Sequence, residues 1–192
     1  MLNLIKLALT LAVGAALGLG ATVLATRDGF GFGAVRAGPW IAWPHIGSSN
    51  VDPYARAALS RTGQIPLGLA EGLTFLARTD DAGNPLSGNC TYRIGDPMPP
   101  GRYWTLTANT PAGFLIDNPT RHYGFTSQEI VRSADGKFEI VVGRSARPGN
   151  WLPMGDVAQF TLVLRIYDTP LSATAATLDR NAMPAITRDA CS

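Results

Sequence analysis

The run Phe160-Thr161-Leu162-Val163-Leu164-Arg165-Ile166-Tyr167 constrains this chain more than any other stretch. Side chains of a strand alternate sides, so Phe160, Leu162, Leu164 and Ile166 share one face and Thr161, Val163, Arg165 and Tyr167 the other. Four large apolar residues on one face make a central core strand. Pro170 cannot donate to a ladder, so the strand should stop near Tyr167. Just upstream, Asn150-Trp151-Leu152-Pro153 reads as a turn or bulge that feeds it, since Asn tolerates turn conformations and Pro153 halts any ladder.

Further strand candidates run from Gly72 to Thr79, Asn89 to Ile94, Tyr103 to Ala108, Phe114 to Ile116, Tyr123 to Val131 and Lys137 to Val142. Asp80 to Pro85 is a turn between the first two, and Pro97, Pro99, Pro100 and Gly101 form a stiff loop. Asp135-Gly136 signals a hairpin between the last two. Short strands separated by turns, without helices between them, predict a mainly β fold: an antiparallel β-sandwich or jelly roll. One short soluble helix precedes it. Asp52 is its N-cap, Pro53 suits its first position, Ala55, Ala58 and Leu59 form its apolar stripe, and Gly63 supplies the stop. The tail beyond Pro170 is polar and Ala-rich, with room for a short helical turn.

From Leu7 to Thr26 the chain carries no charge over 20 residues, enough for a helix to cross a hydrocarbon core of about 30 Å. An uncleaved anchor fits that length; a signal peptide leaving through Val23-Leu24-Ala25 is the competing reading. Either one exports the rest of the chain, because the positive end stays inside. The expected organisation is an anchor or signal peptide over 1–26, a Gly- and Trp-containing linker over 27–50 and an extracytoplasmic β-sandwich over 51–192. The expected location is a bacterial inner membrane, crossed once, with the C-terminal domain in the periplasm. Trp40 and Trp43 follow the anchor and read as a cap on the core of the domain, the membrane interface being the alternative.

Cys90 and Cys191 are the two cysteines, an even count that invites a disulfide in an exported chain. It would close a loop of about 100 residues, worth up to about 4.7 kcal/mol in the chain-entropy model, and it would fasten a tail with few apolar anchors.

Several chemistries find no support. A net charge of +2 carries no nucleic-acid footprint. His45 and His122 lie far apart in sequence and no zinc-like ligand cluster or other metal site is visible. Gly143-Arg144-Ser145-Ala146-Arg147 misses the nucleophile-elbow pattern at its last position, and no phosphate loop or cofactor motif occurs. No catalytic residue emerges. The polar and aromatic residues that could form a ligand-binding face are Trp104, Arg121, Asn150, Trp151, Arg165 and Tyr167, because Trp beside Arg suits an acidic or sugar-like group. In the bland reading Trp151 packs a turn and Arg165 is supported by a carboxylate. A buried unpaired charge is costly, and Asp156, Asp168, Glu139 and Glu129 are the candidate partners.

Glu71-Gly72, Asp81-x-Gly83-x-x-Leu86, Tyr103-Trp104-Thr105-Leu106-Thr107, Asp135-Gly136, Asn150-Trp151-Leu152-Pro153 and Leu164-Arg165-Ile166-Tyr167 together resemble the domain of unknown function 1214. The resemblance implies a jelly-roll sandwich and carries over no catalytic residue. In that family the domain often follows a companion, the domain of unknown function 1254, so the resemblance implies a short stand-alone form acting beside a separately encoded companion. The expected function is that of a membrane-anchored binding or assembly module of the bacterial envelope. The alternative is a periplasmic hydrolase of glycans or lipids with carboxylates assembled across strands.

Overall fold

The computed structural model describes residues 2–27, 33–49, 51–62, 66–68, 70–171 and 178–191. Helix α1 spans Leu2–Arg27. Strands β1 (Val35–Ala37) and β2 (Trp40–Ala42) follow, then helix α2 (Pro53–Thr62). After α2 come β3 (Gly72–Ala77), β4 (Cys90–Gly95), β5 (Tyr103–Asn109), β6 (Gly124–Thr126), β7 (Glu139–Gly143), β8 (Asn150–Pro153) and β9 (Thr161–Tyr167). A 3-10 turn at Arg180–Ala182 precedes β10 (Ala185–Cys191).

The strands form a six-stranded sheet in the order β1-β2-β3-β9-β5-β6 and a four-stranded sheet in the order β10-β4-β7-β8. One core joins them. Phe75, Leu106, Leu164 and Ile166 of the first sheet pack with Tyr92, Ile94, Ile140 and Ile186 of the second. Tyr92 meets Phe160 edge-on at 5.6 Å and Trp104 stacks on Phe138 at 5.4 Å. Each such fully buried apolar side chain contributes about 1.5–3 kcal/mol. The chain is therefore mainly β, a two-layer sandwich, with β9 at its centre between β3 and β5. Phe160, Leu162, Leu164 and Ile166 lie buried as read, Thr161 and Val163 on the other face are buried as well, and β9 stops at Tyr167.

Helix α2 begins as expected, with Asp52 Oδ1 accepting from the N–H groups of Tyr54 (2.8 Å) and Ala55 (3.3 Å). Gly63, its expected stop, lies outside the described residues. Trp40 is wholly buried and its indole donates to the Pro184 carbonyl at 2.7 Å, so it caps the core. Within α1, Leu2–Leu24 is a 23-residue span long and apolar enough to cross a membrane and carries no buried residue. A membrane anchor and a signal sequence both have that build.

Several local expectations change. Asn150–Pro153 is not a turn: it is β8, and it pairs in parallel with β7, so the four-stranded sheet is mixed rather than antiparallel. The Asp135-Gly136 turn forms, with Ser133 N–H bonded to Lys137 O at 2.8 Å. The strands on either side of it, β6 and β7, belong to different sheets, so it closes no hairpin between them. Tyr123–Val131 contributes only Gly124–Thr126, and Phe114–Ile116 forms no strand beyond a single bridge between Asn109 and Leu115. Val35–Ala37 and Trp40–Ala42, inside the expected linker, pair as the edge of the six-stranded sheet.

Cys90 and Cys191 are bonded, 101 residues apart, and face each other across the β4–β10 ladder. Ile186 is the buried residue of β10, and Asp81 clamps it by accepting from Ile186 N–H at 2.8 Å.

The Asp135 carboxyl is held below its ordinary value of 3.8, first by the Ser133 hydroxyl and then by the Lys137 backbone N–H. A depressed carboxyl stabilises the folded turn above its unfolded value and loses that contribution as pH falls through the folded one. An NMR titration should place Asp135 below 3.8, and Ser133→Ala should move it back up.

Candidate functional site

Registry builds the outer surface of the six-stranded sheet row by row. Residues of β9 that do not enter the core point outward, so Tyr167 stands between Gly72 of β3 and Tyr103 of β5. One row further along β9, Arg165 stands between Thr74 and Thr105, and Thr126 of β6 follows Thr105. The row Thr74–Arg165–Thr105–Thr126 thus crosses four strands, about 14 Å at roughly 4.8 Å per strand. The two rows lie about 7 Å apart, two residues along each strand.

Arg165 is half-buried and has no ion pair among the described residues. This corrects the expectation of a supporting carboxylate. Glu139 pairs with Arg93 at 2.6 Å and Asp156 with Arg144 at 2.8 Å, both on the side of the four-stranded sheet. Asp168 sits past the end of β9 in a left-handed conformation (φ 49°) and faces Arg102 at 3.9 Å. Glu129 makes no ion pair among the described residues.

Arg165 lines a cavity of about 40 Å³ whose other walls include Trp43, Leu59, Leu67, Thr74 and Leu76. That space holds about three waters or one small polar group. Beside it lies an open cleft of about 510 Å³ lined by Glu71, Arg102, Tyr103, Gln128, Tyr167 and Asp168. The two depressions meet at the Gly72–Tyr167 pair. Gly72 is required there: a Cβ would stand 2.1 Å from the Ile166 carbonyl oxygen. Tyr103 and Tyr167 are half-buried, 5.9 Å apart and tilted by 50°, and both rings border the cleft. Glu71 and Asp168 share this cleft, yet each is engaged locally: Glu71 Oε2 accepts from Gly68 N–H at 3.2 Å, and Asp168 faces Arg102. The arrangement is a cation beside threonines, with aromatic rings on one flank.

Of the six residues singled out in the sequence, the fold brings Arg165 and Tyr167 together on this face. Trp104 points the other way, 4% exposed in the core. Arg121 is exposed in the loop between β5 and β6 with φ 53°. Asn150 and Trp151 belong to the four-stranded sheet. The Asn150 side chain is buried and binds three backbone groups, accepting from Val131 N–H at 2.8 Å and donating to the carbonyls of Val131 (2.8 Å) and Glu139 (3.0 Å). The Trp151 indole donates to Gly143 O at 2.9 Å. Residues the sequence reading missed are Thr74, Tyr103, Thr105, Thr126 and Gln128. Alternation along β5 marks Tyr103 and Thr105 as neighbours on one face, but only the strand order places them beside Arg165.

The family described as "Protein of unknown function (DUF1214)" matches residues 71–171. The fold is similar to the crystal structure of the VPA0106 protein from Vibrio parahaemolyticus, with a TM-score of 0.59 at 18% identity, over 73% of this chain and 36% of that one. A crystal structure of an uncharacterised protein from Burkholderia cenocepacia matches 75% of this chain and 44% of that one at 19% identity, with a TM-score of 0.37. The chain thus spans less than half the length of either protein. No curated protein matches it.

Proposed function

This chain belongs to the DUF1214 family of proteins of unknown function, and from that premise we propose that it is a membrane-anchored envelope protein whose sandwich acts as a binding or assembly module. It crosses a bacterial inner membrane once, through the apolar span Leu2–Leu24, and carries the sandwich in the periplasm. The disulfide supports an oxidising compartment, where such bonds persist. Its partner is a companion domain of the kind the family resemblance implies, or a ligand presented with one.

The observation that carries this reading is Arg165. A guanidinium half-withdrawn from water in the middle of a sheet, with no carboxylate among the described residues to neutralise it, costs stability that a merely structural residue would not need to cost. Its aliphatic stem is replaceable by Met. Arg165→Met should therefore leave stability within about 1 kcal/mol of the wild type. It should also abolish capture from native membranes, with proteins and glycans both quantified in the eluate. Arg165→Ala should behave the same way in capture. Undiminished capture by Arg165→Met would remove this reading.

A further inference from the structure

We propose that the outer face of the six-stranded sheet binds a sugar acid, a pyranose ring bearing a single carboxylate, with the carboxylate on Arg165 and the ring in the adjoining cleft. This rests on the reading of Arg165 as a binding residue and adds the chemical class of what it binds.

Three observations select that class. First, the cavity at Arg165 holds only a small group, about 40 Å³, and it offers one guanidinium beside a threonine. A planar carboxylate matches the guanidinium fork through two parallel hydrogen bonds. Thr74, paired with Arg165 and also lining the cavity, brings a hydroxyl that can donate to the same oxygens. The apolar walls of Trp43, Leu59 and Leu67 lower the local dielectric and strengthen that contact.

Second, the cleft that opens beside the cavity is bordered by two tilted tyrosine rings. The C–H face of a pyranose packs on such rings, while Gln128 and the tyrosine hydroxyls meet its hydroxyl groups.

Third, the charges are graded along the face. Glu71 and Asp168 border the cleft one residue beyond the Gly72–Tyr167 pair, away from the Arg165 row, with Arg102 balancing Asp168, and Arg165 lies at the cavity. Carboxylates accept hydrogen bonds from sugar hydroxyls and repel a second anion. The face therefore suits a ligand with one acid group at one end and neutral hydroxyls at the other. It disfavours a neutral sugar, which would leave the guanidinium unpaired, and a bare inorganic anion, which would leave the rings unused.

The test is calorimetric titration of the full chain in nanodiscs, free of glycoside detergents whose head groups would compete. The probes are glucuronate, glucose, inorganic phosphate and a short uronate oligomer. Glucuronate should bind at least about tenfold more tightly than glucose, which lacks the charge-assisted pair, and than phosphate, which leaves the rings unused. Arg165→Met should remove that preference without lowering the melting temperature, Arg165→Lys should restore part of it, and Tyr103→Leu should weaken every sugar but not phosphate. Tighter binding of the oligomer would assign the source to an envelope polymer, and equal binding of the monomer to a free sugar acid; each outcome supports the class. Equal affinity for glucuronate and glucose, phosphate binding as tight as glucuronate, or no binding of any probe would overturn it. If capture from membranes still depends on Arg165 in that event, the binding role stands and only the sugar acid falls.

Discussion

Cys191→Ser is expected to melt roughly 10 °C or more below the wild type, a loss of about 3–4.7 kcal/mol if chain entropy dominates. The bridge closes 101 residues of sequence, so its removal releases a large denatured ensemble. It also frees the last turn of the ladder. Ile186 and the Asp81 clamp hold the start of β10, and Arg188 pairs with the buried Asp80 carboxylate at 3.0 Å. Beyond that, residues 189–191 are exposed and, besides the edge of the ladder with β4, are tied by Asp189 to Arg93 at 3.2 Å, a surface pair of small worth. Hydrogen exchange should therefore speed up first at residues 189–191 and at Cys90 and Thr91 opposite them. An unchanged urea midpoint would mean that the bond is energetically idle.

Asn150→Ala is expected to cost about 2–3 kcal/mol, out of scale for a polar residue at a sheet edge. Its amide fastens the first residue of β7 on one side and the segment at Val131 on the other. Truncation leaves two carbonyls and one N–H without their partner. Asn150→Asp should be worse than Ala, because a carboxylate cannot donate to the Val131 and Glu139 carbonyls and would be buried with its charge against them. Equal midpoints in urea for the three proteins would contradict this account.

Legibility in the sequence followed the range over which each signal acts. The β9 core face was readable because Phe160, Leu162, Leu164 and Ile166 keep period two toward the interior, although Thr161 and Val163 on the other face are buried as well. The cysteine pair was readable because two thiols have one pairing. Asn150–Pro153 misled because Asn and Pro carry strong turn chemistry, whereas here Asn150 is used for its side-chain amide and Pro153 stands at the last position of β8. The Asp135-Gly136 turn was right in itself, but turn chemistry does not specify which sheet each flanking strand will join. Trp104 looked like a ligand-stacking residue and stacks on Phe138 instead. The candidate face was half-legible: Arg165 and Tyr167 lie on one strand, while Thr74, Tyr103 and Thr126 come from three others that only long-range pairing assembles.

The position of β9 has a consequence for how the protein is made. β3 and β5 do not pair with each other; each takes its shared partner from β9, far later in the sequence. While a ribosome adds ~5–20 residues per second, both strands wait for several seconds with one edge bare, and those edges invite pairing with other chains. The four-stranded sheet waits longer still, because its outer strand, β10, follows β9 in the sequence. Neither sheet can close before its last strand has emerged. The sandwich assembles slowly, as folds dominated by distant pairings do, and a truncation between Asn109 and Thr161 would leave β3 and β5 each with an unsatisfied edge rather than a smaller domain.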